Sequence, residues 1–61
     1  MRKEPTVILR NRDGDVIQYQ GIYLAAIYLA GLYDIPLKYV TECLYKRPNH
    51  YKDFRLSYIN N

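Results

Sequence analysis

The 61-residue chain has one cysteine and one histidine, which leaves few side chains for cross-links or metal ligands. Cys43 has no second cysteine with which to form a disulfide inside the chain, so a reducing compartment is the simplest expectation. One cysteine and one histidine also cannot provide the four ligands of a structural zinc site. We therefore expect no disulfide, no metal and no cofactor.

Long apolar runs are missing as well. No stretch approaches the roughly 20 apolar residues that a membrane-spanning helix requires. The first residues, Met1 to Pro5, are charged and lack the apolar segment of a secretory signal. These absences predict a cytoplasmic protein that makes no membrane contact.

Groups that carry catalysis are scarce. His50 has neither a second histidine nor a cluster of carboxylates beside it, so nothing indicates a general base or a metal ligand. Cys43 lies near the apolar face of a predicted helix, where a thiol behaves as a small hydrophobe. A chain of 61 residues is also close to the lower limit for a self-supporting core. We predict no catalytic residue and no enzymatic activity.

Tyrosine is the abundant aromatic residue, with eight tyrosines beside one phenylalanine and no tryptophan. Its ring stacks and its hydroxyl makes hydrogen bonds at low conformational cost, so exposed tyrosines suit either bases or a partner protein. An alternative of equal weight is that several tyrosines cover the edges of a small core. The tyrosines assigned to a protein-contact surface are Tyr23, Tyr28, Tyr33 and Tyr39.

The pattern of residues 6–20 predicts a β-hairpin. Two β-rich runs, from Thr6 and from Val16, flank Asp13-Gly14, and Asp-Gly is a strong hairpin signal because glycine accepts a positive φ. Residues 1–5 precede this hairpin, and we expect them to form a loose tail that ends at Pro5.

Residues 21–47 predict a helix-turn-helix. The break is expected at Asp34-Ile35-Pro36, because the residue before a proline disfavours helical geometry and proline is tolerated in a first turn. In the second helix, Leu37 is expected to face the core together with Val40 and Leu44. In the first helix, helical spacing places one apolar stripe on Ile22, Ala25, Ala26, Leu29 and Leu32.

Residues 53–59 predict a C-terminal strand, since Phe54, Leu56 and Tyr58 alternate with more polar neighbours. Residues 49–53 are expected to be a polar connection. The chain is thus interpreted as a single α+β domain spanning 1–61, with hairpin, helix-turn-helix and strand in that order. The predicted core consists of Ile22, Ala25, Ala26, Leu29, Val40, Leu44, Phe54 and Leu56.

From Thr6 to Ile59 these features follow a recurrent order. Two strands are joined by a D-G turn, and a pair of alanines follows in the first helix. An isoleucine then precedes an aliphatic residue of the second helix by five positions, and a strand of aromatic and basic residues comes last. Those places are filled by Val7 to Leu9, Asp13-Gly14, Val16 to Tyr19, Ala25-Ala26, Ile35 with Val40, and Tyr51 to Tyr58. The order resembles the intron-encoded nuclease repeat motif, a modular DNA-binding domain of homing endonucleases. The chain departs from it by about four extra residues before Ile35, close to one helical turn, and by Pro36 in place of a polar residue.

The resemblance implies a non-enzymatic, regulatory module that binds double-stranded DNA, encoded by a phage or mobile element and acting in the bacterial cytoplasm. A formal net charge of +3 is compatible with a polyanionic partner. Basic residues around a helix flank are equally explained as a solvated surface that complements the helix dipole. The residues predicted to contact nucleic acid are Lys38, Thr41, Tyr45, Lys46, Arg47, Lys52 and Arg55. Arg10 and Arg12 at the hairpin turn could extend the phosphate contacts of Lys52 and Arg55, but the interleaved Asp13, Asp15 and Asp53 favour solvated loops there.

The alternative function is a small phage-encoded protein that binds and inhibits a host protein through its tyrosine-rich surface. It is favoured by the tyrosine excess and by the acidic residues that interrupt the basic ones, such as Glu42 and Asp53. Homodimerisation through exposed tyrosines is compatible with either function.

Overall fold

The computed structural model describes residues 4–60. Within them the elements are β1 (Thr6–Arg10), β2 (Val16–Gln20), α1 (Ile22–Tyr33), α2 (Leu37–Leu44), β3 (His50–Tyr51) and β4 (Phe54–Ile59). The strands form an antiparallel sheet in the order β2-β1-β4-β3, so the first and last strands of the chain lie side by side. The predicted α+β class, with a hairpin before two helices and a strand after them, is confirmed.

The N-terminal hairpin forms where the Asp-Gly signal predicts it. Thr6 pairs with Gln20 and Arg10 pairs with Val16. The Asn11 side chain forms a hydrogen bond across the connecting turn. The Asn11 side-chain oxygen accepts the Asp15 N–H at 2.9 Å, and Gly14 adopts φ +88°. Glycine is suited to this position because the left-handed region costs it no steric penalty.

The residues just before β1 are held in place and do not form a loose tail. Pro5 is buried, and its carbonyl accepts the Gly21 N–H at 3.0 Å. A side-chain oxygen of Glu4 accepts the Ile22 N–H at 3.4 Å, which places a carboxylate at the positive end of α1. The prediction for this segment is therefore wrong at Glu4 and Pro5, while residues 1–3 lie outside the described residues.

The two helices begin and end close to the predicted positions. Gly21 precedes α1, Asp34 ends it in the left-handed conformation at φ +55°, and the Asp34 and Ile35 N–H groups both donate to the Ala30 carbonyl. Pro36 then precedes α2 and leaves Leu37 as its first residue. The break at Asp34-Ile35-Pro36 is confirmed, and α2 ends at Leu44, three residues before the predicted limit at Arg47.

The C-terminal strand is confirmed, but the segment before it is more ordered than expected. His50 and Tyr51 pair with Arg55 and Phe54 as a short edge strand, where a polar connection was predicted. The turn between them places Lys52 at φ +55°. Lysine is not among the residue types typical of left-handed turns. The sequence therefore does not predict this hairpin.

The core lies between the sheet and the helices. All eight predicted core residues are buried, and β1 adds two more, Val7 and Leu9. Leu32 is 51% exposed, so its assignment to the stripe is wrong. Tyr33 continues the stripe instead, since its ring centre lies 6.4 Å from that of Phe54. Leu37, expected to face the core, is only half-buried.

Two leucines of α1 test this packing as a matched pair. Leu29→Ala removes a fully buried side chain and should lower the free energy of unfolding by about 2–5 kcal/mol. Leu32→Ala removes the same atoms from an exposed position and should change it by about 0.5 kcal/mol or less. Urea denaturation monitored by circular dichroism measures both. Equal losses would contradict the assignment of Leu29 to the core and of Leu32 to the surface.

Candidate nucleic-acid interface

Helix α2 and the first turn of α1 form a shallow groove of about 530 Å³, here called the α2 groove. It is lined by Tyr23, Leu37, Lys38, Thr41, Glu42 and Tyr45. Residues four apart lie on the same side of a helix, which brings Leu37, Thr41 and Tyr45 together. Three of the predicted nucleic-acid residues, Lys38, Thr41 and Tyr45, therefore share one surface.

The polar groups of the α2 groove differ in their freedom to bind a ligand. The Thr41 hydroxyl donates to the Leu37 carbonyl at 2.7 Å, so its oxygen is left as an acceptor. Lys38 and Glu42 lie one turn apart, but no ion pair joins them. The Lys38 ammonium instead lies 5.7 Å from the ring centre of Tyr39. Both charged groups are exposed, with Glu42 adding a negative charge to the groove.

Two further predicted residues, Lys46 and Arg47, follow the end of α2. The Arg47 backbone is left-handed at φ +53°, and its N–H donates to the Leu44 carbonyl at 2.9 Å. Its guanidinium donates to the Asn60 side chain at 3.2 Å and lies 5.7 Å from the Tyr58 ring centre. Arg47 is thus exposed yet oriented by Tyr58 and Asn60, whereas Lys46 makes no such side-chain contact with a described residue.

The Tyr58 ring, which lies beside the Arg47 guanidinium, is itself held in place. Its hydroxyl donates to the Pro48 carbonyl at 2.8 Å, which fixes the ring against the chain that follows α2. Burial raises the pKa of the Tyr58 phenol, the neighbouring Cys43 raises it further, and Arg47 acts in the opposite direction. Burial also raises the pKa of Tyr19 and of Tyr51.

The remaining predicted residues lie elsewhere. Lys52 is in the β3–β4 turn, with its ammonium 6.0 Å from the Tyr33 ring centre. Arg55 alternates with the buried Phe54 and Leu56, so it extends from the side of the sheet that faces away from the helices. The seven predicted residues consequently do not form one continuous positive surface.

A separate cleft with a positively charged lining lies around Arg55. A cleft of about 400 Å³, here called the arginine cleft, is lined by Arg10, Asn11, Arg12, His50, Asp53 and Arg55. The sequence grouped Arg10 and Arg12 with Arg55 only as an extension of the phosphate contacts, and nothing in it placed the hairpin beside the last strand. Knowledge of the β1–β4 register would have been needed to bring them together.

The four tyrosines assigned to protein contact divide into two groups. Tyr23 and Tyr39 are 51% and 56% exposed and are available to a partner. Tyr28 and Tyr33 are half-buried and pack by their edges against Phe54, with ring centres 6.2 and 6.4 Å from it. These two tyrosines cover the edge of the core, as the alternative interpretation expected for several of them.

Comparisons of the chain with models of known protein families, with curated proteins and with solved structures found no match. In residues 4–60, no group of three or more His, Cys, Asp and Glu side chains could hold a metal ion. No helix in that range combines the length and apolar character needed to cross a membrane.

The raised pKa of the Tyr58 phenol predicts that the stability of the protein depends on pH. A phenol with a raised pKa in the folded protein binds its proton more tightly there than in the unfolded chain. The stability it contributes is fully present below the ordinary tyrosine pKa of 10.0 and is lost as the pH rises through the folded value. Urea denaturation at increasing alkaline pH should show a smaller loss for Tyr58→Phe than for the wild type.

At neutral pH the same variant loses the hydrogen bond to Pro48 and should be less stable by about 1 kcal/mol. Tyr19 and Tyr51 still titrate in the variant, so some alkaline loss should remain. An identical pH dependence in the two proteins would contradict the buried position of the Tyr58 phenol.

Proposed function

We propose that the protein is a non-enzymatic DNA-binding module of helix-turn-helix type that presents α2 to duplex DNA. The observation that carries the proposal is the placement of exposed cations at both ends of this helix. Lys38 lies in its first turn, and Lys46 and Arg47 follow its last residue. None of the three forms an ion pair within residues 4–60, where Arg12 pairs with Asp53.

The size of α2 supports this mode of binding. A helix with its side chains is about 10–12 Å across, which fits the DNA major groove of about 12 Å width, and the eight residues of α2 extend about 12 Å along it. In this arrangement the terminal cations would contact phosphates, while the exposed Tyr45 and the free acceptor of Thr41 face the bases. Arg47 would make the best-oriented phosphate contact because Asn60 and Tyr58 already position its guanidinium.

The wider setting follows from the resemblance to the intron-encoded nuclease repeat motif. A module of this type without its own catalytic groups would act by occupying DNA, which is a regulatory role. We therefore propose a phage or mobile-element protein that works in the cytoplasm of a bacterial host. The exposed Tyr39 offers a site for homodimerisation on the duplex.

The salt dependence of the affinity for DNA should report the number of these phosphate contacts. Three phosphate contacts by Lys38, Lys46 and Arg47 predict a slope of about −2.7 in a plot of log affinity against log salt concentration. Arg47→Gln should reduce the slope by about 0.9. Fluorescence anisotropy with a synthetic duplex that lacks terminal phosphates measures the affinity at each salt concentration.

The matched control is Arg55→Gln, which makes the same change on the opposite face of the sheet. It should leave the slope unchanged, because a duplex lying on α2 does not reach Arg55. The proposal fails if no complex forms at low salt at protein concentrations of about 100 µM, the weak end of non-specific binding. It also fails if the two variants reduce the slope equally.

A second function is favoured by the chemistry of the α2 groove. Tyr23, Leu37 and Tyr45 make its lining mainly apolar, and Glu42 would repel a phosphate. Tyrosine-lined grooves of this kind suit a protein partner, because tyrosine is a preferred anchor at interfaces. The second candidate is thus a small inhibitor that binds a host protein through this groove.

A pull-down from a nuclease-treated bacterial lysate separates the two functions. The inhibitor function predicts a partner that remains after nuclease treatment, is lost with Tyr45→Ser and is retained with Arg47→Gln. The first substitution removes an aromatic anchor of the groove, and the second removes a charge outside it. Loss of every specific partner after nuclease treatment would exclude the inhibitor function.

A further inference from the structure

The register of the sheet aligns three basic residue positions across neighbouring strands. Arg10 of β1 is opposite Arg55 of β4, and Arg55 is opposite His50 of β3. Leu9 and Phe54, the neighbours of these arginines, are buried, so both arginines extend from the face of the sheet that turns away from the helices. Adjacent strands are about 4.8 Å apart, which makes this a compact row.

Arg10 and Arg55 place like charges at opposite positions of two paired strands. Residues directly opposite in an antiparallel pair have their Cβ atoms about 4.5–5.5 Å apart, and like charges there are destabilising. Neither guanidinium forms an ion pair or a hydrogen bond with any described residue. The sheet therefore places two exposed arginines at opposite positions of neighbouring strands, and neither has an ion-pair partner among the described residues.

The acidic residue of the arginine cleft is already engaged. The Asp53 carboxylate lies 3.5 Å from the Arg12 guanidinium and accepts a hydrogen bond from the Tyr33 hydroxyl at 3.4 Å. The Tyr33 oxygen in turn accepts the Asp53 N–H at 3.3 Å, which fixes this turn against α1. With three arginines and one aspartate in its lining, the cleft keeps two uncompensated positive charges.

We propose that the arginine cleft binds a phosphate group with free terminal oxygens, either inorganic phosphate or the terminal phosphate of a nucleotide or nucleic-acid strand. Arg10 and Arg55 hold the phosphate between them, because a guanidinium forms two parallel hydrogen bonds to such an anion. Arg12, Asn11 and His50 supply donors at the cleft edge. Donors from several sides fit a terminal phosphate, which offers three acceptor oxygens.

This site is separate from the DNA-binding surface proposed above. Arg55 lies on the sheet face opposite the helices, so one ligand on α2 and another in the cleft would bind independently. The two proposals can therefore fail separately, and the same two arginine variants distinguish them.

The test is a titration of the 15N-labelled full chain with inorganic phosphate, followed by amide chemical shifts in NMR spectra. Sodium chloride at matched ionic strength is the control for screening. Phosphate should shift the amides of residues 10–12, 50 and 55, and chloride should not. Arg55→Gln should weaken the binding by about tenfold or more, since it removes charge-assisted hydrogen bonds, and Arg47→Gln should leave it unchanged.

Thermal unfolding provides a second measurement that does not depend on the spectra. Phosphate should raise the Tm of the wild type, because a ligand that binds the folded state stabilises it. The rise should be clearly smaller for Arg55→Gln at the same phosphate concentration, where the remainder reflects the general stabilising effect of phosphate as an excluded salt. Without phosphate this variant should be at least as stable as the wild type, since the repulsion between Arg10 and Arg55 is gone.

The source of the phosphate is resolved with short single-stranded oligonucleotides that carry or lack a 5′ phosphate. Stronger binding of the phosphorylated form supports a nucleic-acid end as ligand, and binding of inorganic phosphate alone supports a small phosphate ligand. If both oligonucleotides bind, and bind equally, the assignment to a terminal phosphate is overturned. Shifts that chloride reproduces, or an affinity for phosphate that is unchanged in Arg55→Gln, would overturn the site itself, as would binding to phosphatidylglycerol vesicles without any response to phosphate.

Discussion

The antiparallel pairing of β1 with β4 is the constraint on which the remaining structure depends. It joins Thr6 to Ile59, so nearly the whole chain is the loop that this contact closes. Closing such a loop costs conformational entropy, which burial of apolar side chains must offset. The pairing places Leu9 beside Leu56 under the helices, and both are buried. Without β4 at its side, β1 would be an edge strand and α1 would cover only a hairpin.

The same register determines where the charges lie. Because side chains alternate along a strand, a pairing that directs Leu9 and Leu56 inward must direct Arg10 and Arg55 outward and bring them together. The helices occupy the other face, and the break at Pro36 turns α2 so that its cations and tyrosines are exposed. One packing arrangement thus produces two separate polar surfaces, a helix face with Lys38 and Arg47 and a sheet face with Arg10 and Arg55.

Local signals were sufficient for most of the elements, and the errors come from one turn without a sequence signal and from long-range contacts. Asp13-Gly14 and Pro36 mark turns by their own backbone preferences, and the alternation from Phe54 to Tyr58 marks a half-buried strand. The β3 strand was missed because its turn uses a left-handed Lys52, which has no sequence signature. Leu32 was misassigned because Tyr33 takes the contact with Phe54. The arginine cleft could not be predicted, since Arg10 and Arg55 are neighbours only through the strand register.

The pairing of β1 with β4 is tested most directly by nuclear Overhauser contacts between the backbone protons of the two strands. The structure predicts contacts that pair Val7 with Tyr58, Leu9 with Leu56 and Arg10 with Arg55. A register shifted by one residue would pair Arg10 with Phe54 or Leu56 and would turn one strand's core residues to the opposite face. Such a shift, or the absence of β1–β4 contacts, would contradict the shared core and the two polar surfaces derived from it.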